Sequence, residues 1–113
     1  MRSENERFLD MLEAIDRIQD RMPGSLDMFA DDELVQVWMV HHLQIIGEAA
    51  FKISKETQNK YSHIAWGNII GTRHILVHNY FEIDLEIVWN VLIHNLPVLR
   101  EQIEEILKTD EPE

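Results

Sequence analysis

The residues best suited to chemistry lie in the stretch 71–81, which contains Arg73, His78 and Tyr80. The imidazole of histidine titrates closest to neutral pH, so it can accept or deliver a proton during a reaction. Arginine stays charged, and its planar guanidinium matches the oxygens of a phosphate. The two groups together suit metal-independent cleavage of RNA, in which the 2′-hydroxyl loses a proton, the 5′-oxygen gains one, and negative charge collects on the phosphate. One arginine and one histidine from each of two subunits would complete such a site.

The spacing of the two groups sets a geometric condition. Arg73 and His78 are five residues apart, which is about 140° around an ideal α-helix. They converge only if the helix loosens before His78 or if the long arginine side chain reaches around it. His74 and His78, four residues apart, share a helix face more naturally. A histidine at the carboxyl end of a helix lies near the negative end of the helix dipole, which favours the imidazolium form.

The charge of the chain is strongly negative but unevenly distributed. The 113 residues include 21 acidic and 10 basic ones, for a net charge of −11, which disfavours non-specific binding of nucleic acid. The segment 57–81 nevertheless contains no acidic residue, where the chain average predicts about four to five. Its cationic or titratable residues are Lys60, His63, Arg73, His74 and His78. Buried helices would explain the same gap, but a polyanion that binds this chain is expected to bind here.

The elements that position these residues are predicted to be helices. Proline and glycine are scarce, and apolar residues recur at spacings of three and four, which indicates an all-α, four- to five-helix up-and-down bundle. A first helix is expected to end at Met22, before Pro23. The second is expected to open at Asp31 or Asp32 and to end near Thr57. Gly47 inside that helix predicts a close approach by a neighbouring helix.

The second half of the chain is predicted to hold two further helices. Ser62 would cap the third helix, with Tyr61 and Trp66 in hydrophobic contact across its start, and the helix would run to about His78. Gly67 and Gly71, four residues apart, predict tight packing against a neighbour.

The last helix carries a proline whose effect can be predicted. Asp84 is expected to cap this helix. Pro97 should kink it near Ile93, whose carbonyl loses the usual hydrogen-bond donor. Residues 1–108 are expected to form a single domain, followed by a frayed acidic tail at 109–113.

Other functional classes find little support in the sequence. There is no cysteine, which excludes disulfides and thiolate chemistry. No histidine follows a glutamate by three residues, as carboxylate-bridged metal bundles require, and a His74–His78 pair lacks a third ligand of suitable spacing, so neither a metal nor a cofactor is expected. No apolar run approaches the ~20 residues of a membrane span, and the first residues resemble no signal peptide, so a soluble cytoplasmic protein is expected.

The residues also resemble a known family. The pattern of Arg73, four residues, His78, one residue and Tyr80 is similar to the signature of the HepT-like branch of the HEPN superfamily. The resemblance extends in order over roughly residues 8–106, through these further segments: GEAA at 47–50, IAW at 64–66, IIG at 69–71, YFEID at 80–84, VW at 88–89 and LP at 96–97. One departure is His74, where the family commonly has asparagine.

The resemblance implies a function for several residues. It implies a dimeric endoribonuclease that acts as the toxin of a toxin–antitoxin pair, with Arg73 and His78 catalytic in a cleft between protomers and a 2′,3′-cyclic phosphate as product. Tyr80 would be the site at which an MntA-type minimal nucleotidyltransferase antitoxin adds AMP. An adenylate there would place bulk and negative charge where the RNA phosphate must lie. His74, Asn79 and Lys60 are the candidates for auxiliary or RNA-binding roles.

Other interpretations remain open at this stage. The chain could be a non-catalytic module that binds a nucleotide or a protein partner, or the helical subunit of a two-chain nucleotidyltransferase. Glu48 fits a partly buried residue hydrogen-bonded between helices better than a catalytic acid, and Tyr80 could be a core tyrosine at a helix end. His41, His42 and His94 are expected to be packing or surface residues, and the tryptophans are expected in the core or at a subunit interface.

Overall fold

The computed structural model describes residues 3–78 and 84–109, with side chains for all of these except 74–78. The regular secondary structure in these ranges is helical, with no strand, which confirms the predicted all-α class. The elements are α1 Glu4–Gln19, α2 Leu26–Ala30, α3 Glu33–Phe51, α4 Lys55–Lys60, α5 Trp66–His78, α6 Leu85–Asn90, a π-helical turn Val91–Asn95, and α7 Leu96–Thr109. Because α6, the π-helical turn and α7 follow one another without a break, the bundle consists of four long helical segments with α2 and α4 in its connections.

The core lies mainly between α1, α3 and α7. Phe8, Met11, Ile15 and Ile18 recur at spacings of three and four along α1 and are almost completely buried. α1 packs most extensively on α3, and α3 in turn packs on α5. Trp66 is buried, whereas Trp38 and Trp89 lie partly buried against the core. The tryptophans therefore have the packing role that the sequence predicted.

Side-chain caps determine where the first helices begin and end. Ser3 and Glu6 form a reciprocal capping box at the start of α1, with both hydrogen bonds at 3.1 Å. α1 ends at Gln19, somewhat before the expected stop at Met22. Asp32 caps α3 by accepting from the N–H of Val35, as predicted. The short helix α2, capped by Ser25, was not predicted, because five residues are too few to show a helical period.

The ends of α3 and α5 differ from the sequence-based prediction. α3 ends at Phe51 rather than near Thr57, because Ser54 interrupts it and caps the separate helix α4. Ser62 is not a helix cap: residues 61–64 form a turn, and α5 begins only at Trp66. The indole N–H of Trp66 donates to the carbonyl of Tyr61 at 3.1 Å. These two residues are therefore in contact as predicted, but the contact shown is a hydrogen bond rather than the expected hydrophobic one.

The glycines behave in two different ways. A Cβ atom at Gly47 would lie 2.9 Å from the Cβ of Arg73, so the predicted close approach between helices is confirmed. A Cβ atom at Gly67 or Gly71 would meet nothing within 4 Å, so the predicted tight packing at these two positions is wrong within the described chain. Only Gly47 is required by the packing of α3 on α5.

Pro97 acts where the sequence predicted. A proline donates no backbone hydrogen bond, so the carbonyl of Ile93 cannot receive one from position 97. The chain responds with a π-helical turn over Val91–Asn95, in which the N–H of Leu96 donates to the carbonyl of Val91. The predicted cap at Asp84 is also present, because its carboxylate accepts from the N–H groups of Glu86 and Ile87.

Glu4 fastens the start of α1 to the start of α4. Its carboxylate accepts from the N–H of Ser54 at 2.7 Å and from the hydroxyl of Thr57. Partial burial opposes ionisation of Glu4, but the hydrogen bonds from Thr57 and Ser54 outweigh it and lower its pKa below the usual value. The ionised carboxylate therefore stabilises the folded state.

The two kinds of glycine can be distinguished by matched substitutions. Gly71→Ala is expected to raise the free energy of unfolding by up to about 1 kcal/mol, because alanine favours the helix interior and its Cβ has space. Gly47→Ala is expected to lower it, because the added atom overlaps Arg73. Urea unfolding followed by circular dichroism measures both. Equal effects of the two substitutions would contradict the packing described for Gly47.

The pKa of Glu4 leads to a second prediction. Because its folded-state pKa is lowered, Glu4 stabilises the fold at pH values above its unfolded pKa, roughly 4.3, and this contribution is lost as the pH falls through the folded-state pKa. Glu4→Gln should therefore cost about 1 kcal/mol near pH 7 and less at pH 3. Urea unfolding at a series of pH values measures this difference. Glu101→Gln, on the exposed surface of α7, is the control, and a pH profile unchanged by Glu4→Gln would contradict the prediction.

Candidate functional site

Arg73 lies on the side of α5 that packs against α3. The missing side chain of Gly47 lets the backbone at Arg73 approach α3 closely. The next residue of α3 is Glu48, whose Oε1 accepts from Arg73 Nη1 at 3.1 Å. The guanidinium carbon also lies 4.0 Å from the centre of the Phe51 ring. A short segment of α3 thus holds Arg73 by close packing, an ion pair and a cation–π contact.

This arrangement fixes the position of the guanidinium before any ligand binds. The side chain of Arg73 retains 16% of its exposure and that of Glu48 retains 51%, so the ion pair lies at the rim of the helix interface rather than inside the core. Glu48 makes the hydrogen bond between helices that the sequence favoured, but it is exposed rather than partly buried. A guanidinium held in this way loses less conformational entropy on binding a phosphate than a free surface arginine would.

The course of α5 bears on how Arg73 and His78 could meet. The helix keeps α-helical geometry to its last residue, His78, so it does not loosen beforehand. Arg73 and position 78 therefore stay about 140° apart around the helix axis. The side chains of residues 74–78, including His74 and His78, lie outside the described structure, as do all of residues 79–83, including Asn79 and Tyr80. Lys60 ends α4, with its ammonium group 5.2 Å from the ring centre of Tyr61.

An open groove lies on another side of α5, and we call it the α5–α7 groove. It has a volume of about 710 Å³ and is bounded by α3, α5, the π-helical turn and α7. The described residues that line it include no Asp, Glu, Lys or Arg. The polar side chains are His63, Asn68, Thr72, His94, Asn95 and Gln102. Gly67 and Gly71 form part of the wall, which explains why nothing packs on them.

A second groove, of about 640 Å³, lies between α1 and α3. Its three cationic residues are matched by three carboxylates: Arg7, Arg17 and Lys52 against Asp10, Glu13 and Glu48. Here His42 is buried, with Nδ1 2.8 Å from the carbonyl of Trp38, a distance at which Nδ1–H donates. His41 is exposed beside it. Both histidines therefore have the packing and surface roles expected of them.

A metal site needs several ligands close together, and a membrane span needs a long apolar helix. Among the residues whose side chains the structure describes, 3–73 and 84–109, no three histidine, aspartate or glutamate side chains are grouped closely enough to hold a metal ion. Over the same part of the chain, no helix combines the length and the apolar character that crossing a membrane requires.

Sequence similarity places the chain in a family. It belongs to the HepT-like family, whose model, described as "Ribonuclease HepT-like", matches residues 11–106. This match includes the motif residues Arg73, His78 and Tyr80. It also includes all the further segments that carry the sequence resemblance, from GEAA at 47–50 to LP at 96–97. The recognition of a HepT-like protein from its sequence is therefore confirmed.

Individual relatives carry consistent names. "Putative RNase TTE0752" of Caldanaerobacter subterraneus subsp. tengcongensis is 33% identical over 101 residues, which cover 88% of this chain and 90% of the relative. "Putative RNase MJ0127" of Methanocaldococcus jannaschii is 35% identical over 89 residues, covering 79% and 74%. "Probable ribonuclease HepT" of Thermococcus cleftensis is 28% identical over 108 residues, covering 95% and 98%. No solved structure matches the chain.

Phe51 is the residue of this site that the sequence analysis did not single out. It is 53% exposed, which is unusual for a phenylalanine at the end of a helix that packs on others. Its position four residues after Gly47 places it on the same face of α3, which is the signal that could have identified it.

The contacts of Arg73 predict how freely its side chain moves. Glu48→Gln and Phe51→Leu should each increase the nanosecond motion of the Arg73 side chain, because each removes one of its anchoring contacts. The free energy of unfolding should change by less than about 1 kcal/mol, since the ion pair lies at the surface. Nitrogen-15 relaxation of the Arg73 Nε–H group measures the motion. Glu13→Gln removes a similar pair, with Arg17, and is the control that should leave Arg73 unchanged.

Proposed function

We propose that the protein is a metal-independent endoribonuclease, and the toxin of a toxin–antitoxin pair, that cleaves RNA through Arg73 and His78. The observation that carries the proposal is the anchoring of Arg73 by Gly47, Glu48 and Phe51 in a chain of the HepT-like family. A guanidinium that is already oriented can stabilise the charge of a pentacoordinate phosphate without reorganising during the reaction.

The proposed reaction needs two proton transfers. A neutral imidazole takes the proton of the ribose 2′-hydroxyl, whose oxygen attacks the adjacent phosphorus. An imidazolium gives a proton to the departing 5′-oxygen, which leaves a 2′,3′-cyclic phosphate and a free 5′-hydroxyl. A histidine suits both roles because an unperturbed imidazole titrates close to neutral pH, and we assign them to His78. Arg73 holds the non-bridging oxygens.

A homodimer would resolve the separation of the two groups around α5. Because α5 stays regular to His78, the two positions point about 140° apart on one helix. In a cleft shared by two protomers, Arg73 of one chain can face His78 of the other, and the symmetry supplies two imidazoles for the two proton transfers. Lys60, His74 and Asn79 are proposed as auxiliary residues that contact the RNA.

Control of the toxin is proposed to act through Tyr80. This residue follows His78 by two positions, so an AMP group on its hydroxyl would bring a phosphate and a base next to the catalytic pair. The added negative charge would repel the phosphate of the RNA, and the bulk would block the cleft. The proposed partner is an MntA-type minimal nucleotidyltransferase antitoxin, and the proposed place of action is the cytoplasm.

Substitution of the two catalytic residues tests the proposal. Arg73→Ala and His78→Ala should each reduce RNA cleavage by about 10²-fold or more, because each removes charge stabilisation or proton transfer from the transition state. The measurement is cleavage of a labelled RNA, with the product ends mapped by mass spectrometry. Cleavage by the wild-type protein should persist in the presence of EDTA, and the mapped ends should carry 2′,3′-cyclic phosphate.

The controls retain the fold and change residues away from the proposed site. His41→Ala and Arg21→Ala remove an exposed histidine and an arginine that contacts Trp38, and both should cleave RNA like the wild type. Folding of every variant is checked by circular dichroism. If folded Arg73→Ala and His78→Ala variants cleave as fast as the wild type, the assignment of these residues is wrong.

A second candidate function is favoured by the charge of the chain. With a net charge of −11, the protein repels RNA over most of its surface, which fits a non-catalytic helical subunit that binds a nucleotide or a nucleotidyltransferase partner. This alternative predicts no cleavage of any RNA, together with tight binding of ATP or of the partner, both of which isothermal titration calorimetry measures.

A further inference from the structure

We propose that the α5–α7 groove binds one unpaired nucleobase of the RNA strand and thereby selects where the strand is cut. The proposal rests on the proposed ribonuclease function and adds a binding subsite to it. It concerns residues of α5, the π-helical turn and α7 that are separate from Arg73 and its three anchoring contacts on α3.

The charge of the groove fits a nucleic acid better than the rest of the surface does. The chain carries a net charge of −11, yet the described residues that line the α5–α7 groove include no carboxylate. The groove between α1 and α3 includes three, together with three cationic residues. An RNA strand that enters the α5–α7 groove therefore meets no carboxylate among the described lining residues. The same residues include no Lys or Arg, so the group they fit is an uncharged base rather than a phosphate.

The polar side chains of the groove have the chemistry that base recognition needs. The amides of Asn68, Asn95 and Gln102 can each donate and accept hydrogen bonds, as the edge of a base requires. His63 and His94 add imidazole rings at the margin. The hydroxyl of Thr72 already donates to the carbonyl of Asn68 at 2.7 Å, so it serves the helix. Apolar residues, among them Leu96 and Leu99, offer a surface for the face of the base.

The glycines provide the space. A Cβ atom at Gly67 or at Gly71 would have no neighbour within 4 Å in the described part of the chain, so nothing described there covers the surface of α5 at these two positions. A flat ring can lie directly against a helix backbone that carries no side chain. The volume of about 710 Å³ is within the range of pockets that hold small molecules, and a nucleoside fits in it.

The position of the groove relates it to the end of α5. In an ideal α-helix, positions 67, 71, 74 and 78 lie within about 60° of one another, so the bare side of α5 continues toward positions 74 and 78. A base bound over Gly67 and Gly71 would direct the neighbouring phosphate toward that end of the helix. The π-helical turn contributes His94 and Asn95 to the opposite wall, and such turns are frequent at functional sites.

A binding experiment with abasic RNA tests the proposal. The probes are fluorescein-labelled single-stranded RNA oligonucleotides in which one base at a time is removed along the strand. They are titrated with the full-length His78→Ala variant, which should not cut them, and anisotropy measures binding. Removal of one particular base should weaken binding roughly tenfold, which is typical of the loss of one well-bound base. Removal of most other bases should have little effect.

Substitutions in the groove identify where that base binds. Gly71→Leu fills the groove with a residue that favours helix, and Gln102→Ala removes an amide. Each, combined with His78→Ala, should bind the intact RNA more weakly and lose its sensitivity to the one abasic position. Gln44→Ala, which removes a matched amide from the α1–α3 groove, should retain that sensitivity.

The outcomes separate this proposal from the proposed function. If the wild type cleaves RNA but no abasic position weakens binding, the groove proposal is overturned and the ribonuclease proposal stands. If one position matters and the groove variants abolish its effect while no RNA is cleaved, the groove proposal stands without the nuclease. If RNA does not bind, or if light scattering shows that Gly71→Leu changes a dimer into a monomer, the groove does not hold a base.

Discussion

The contact between Gly47 on α3 and Arg73 on α5 is the constraint on which the rest of the site depends. Any side chain at position 47 would overlap the Cβ of Arg73, so the distance between the two helices is set by the absence of one carbon atom. At this distance Glu48 and Phe51 both reach the guanidinium. A wider spacing would release the arginine into solvent, where it would lose its fixed direction. Gly47 thus determines both the packing of α3 on α5 and the position of the Arg73 charge.

The two sides of α5 serve different purposes as a consequence. The side with Arg73 is packed, paired and only slightly exposed. The side with Gly67 and Gly71 is open and borders an uncharged groove. One helix can therefore carry a fixed cation on one side and leave space for a ligand on another. In a strongly acidic protein, the described residues that line this groove include no acidic side chain.

Much of the fold could be predicted from the sequence, and the parts that could not have physical reasons. The sequence was sufficient to predict the apolar periodicity of α1 and α3 and the helix caps at Asp32 and Asp84, because each of these features rests on local chemistry. The break between α3 and α4 was missed because the apolar pattern continues past it. The side chain of Ser54 nevertheless caps a new helix there. The role of Gly67 and Gly71 was misjudged because spacing alone does not show whether a neighbour is present.

The site itself was only partly predictable, since Arg73 and Glu48 were identified from sequence but the stacking on Phe51 depends on tertiary contact.

The π-helical turn changes the register of the last helical segment. Its hydrogen bonds span one residue more than those of an α-helix, so the turn accommodates one extra residue. Val88, Leu92 and Leu96 are buried at successive intervals of four, a spacing that drifts steadily around a pure α-helix. The extra residue cancels part of this drift, and α7 begins with Leu96 and Leu99 in phase with the core. The alignment of the whole carboxyl-terminal helix is therefore set by a single inserted position.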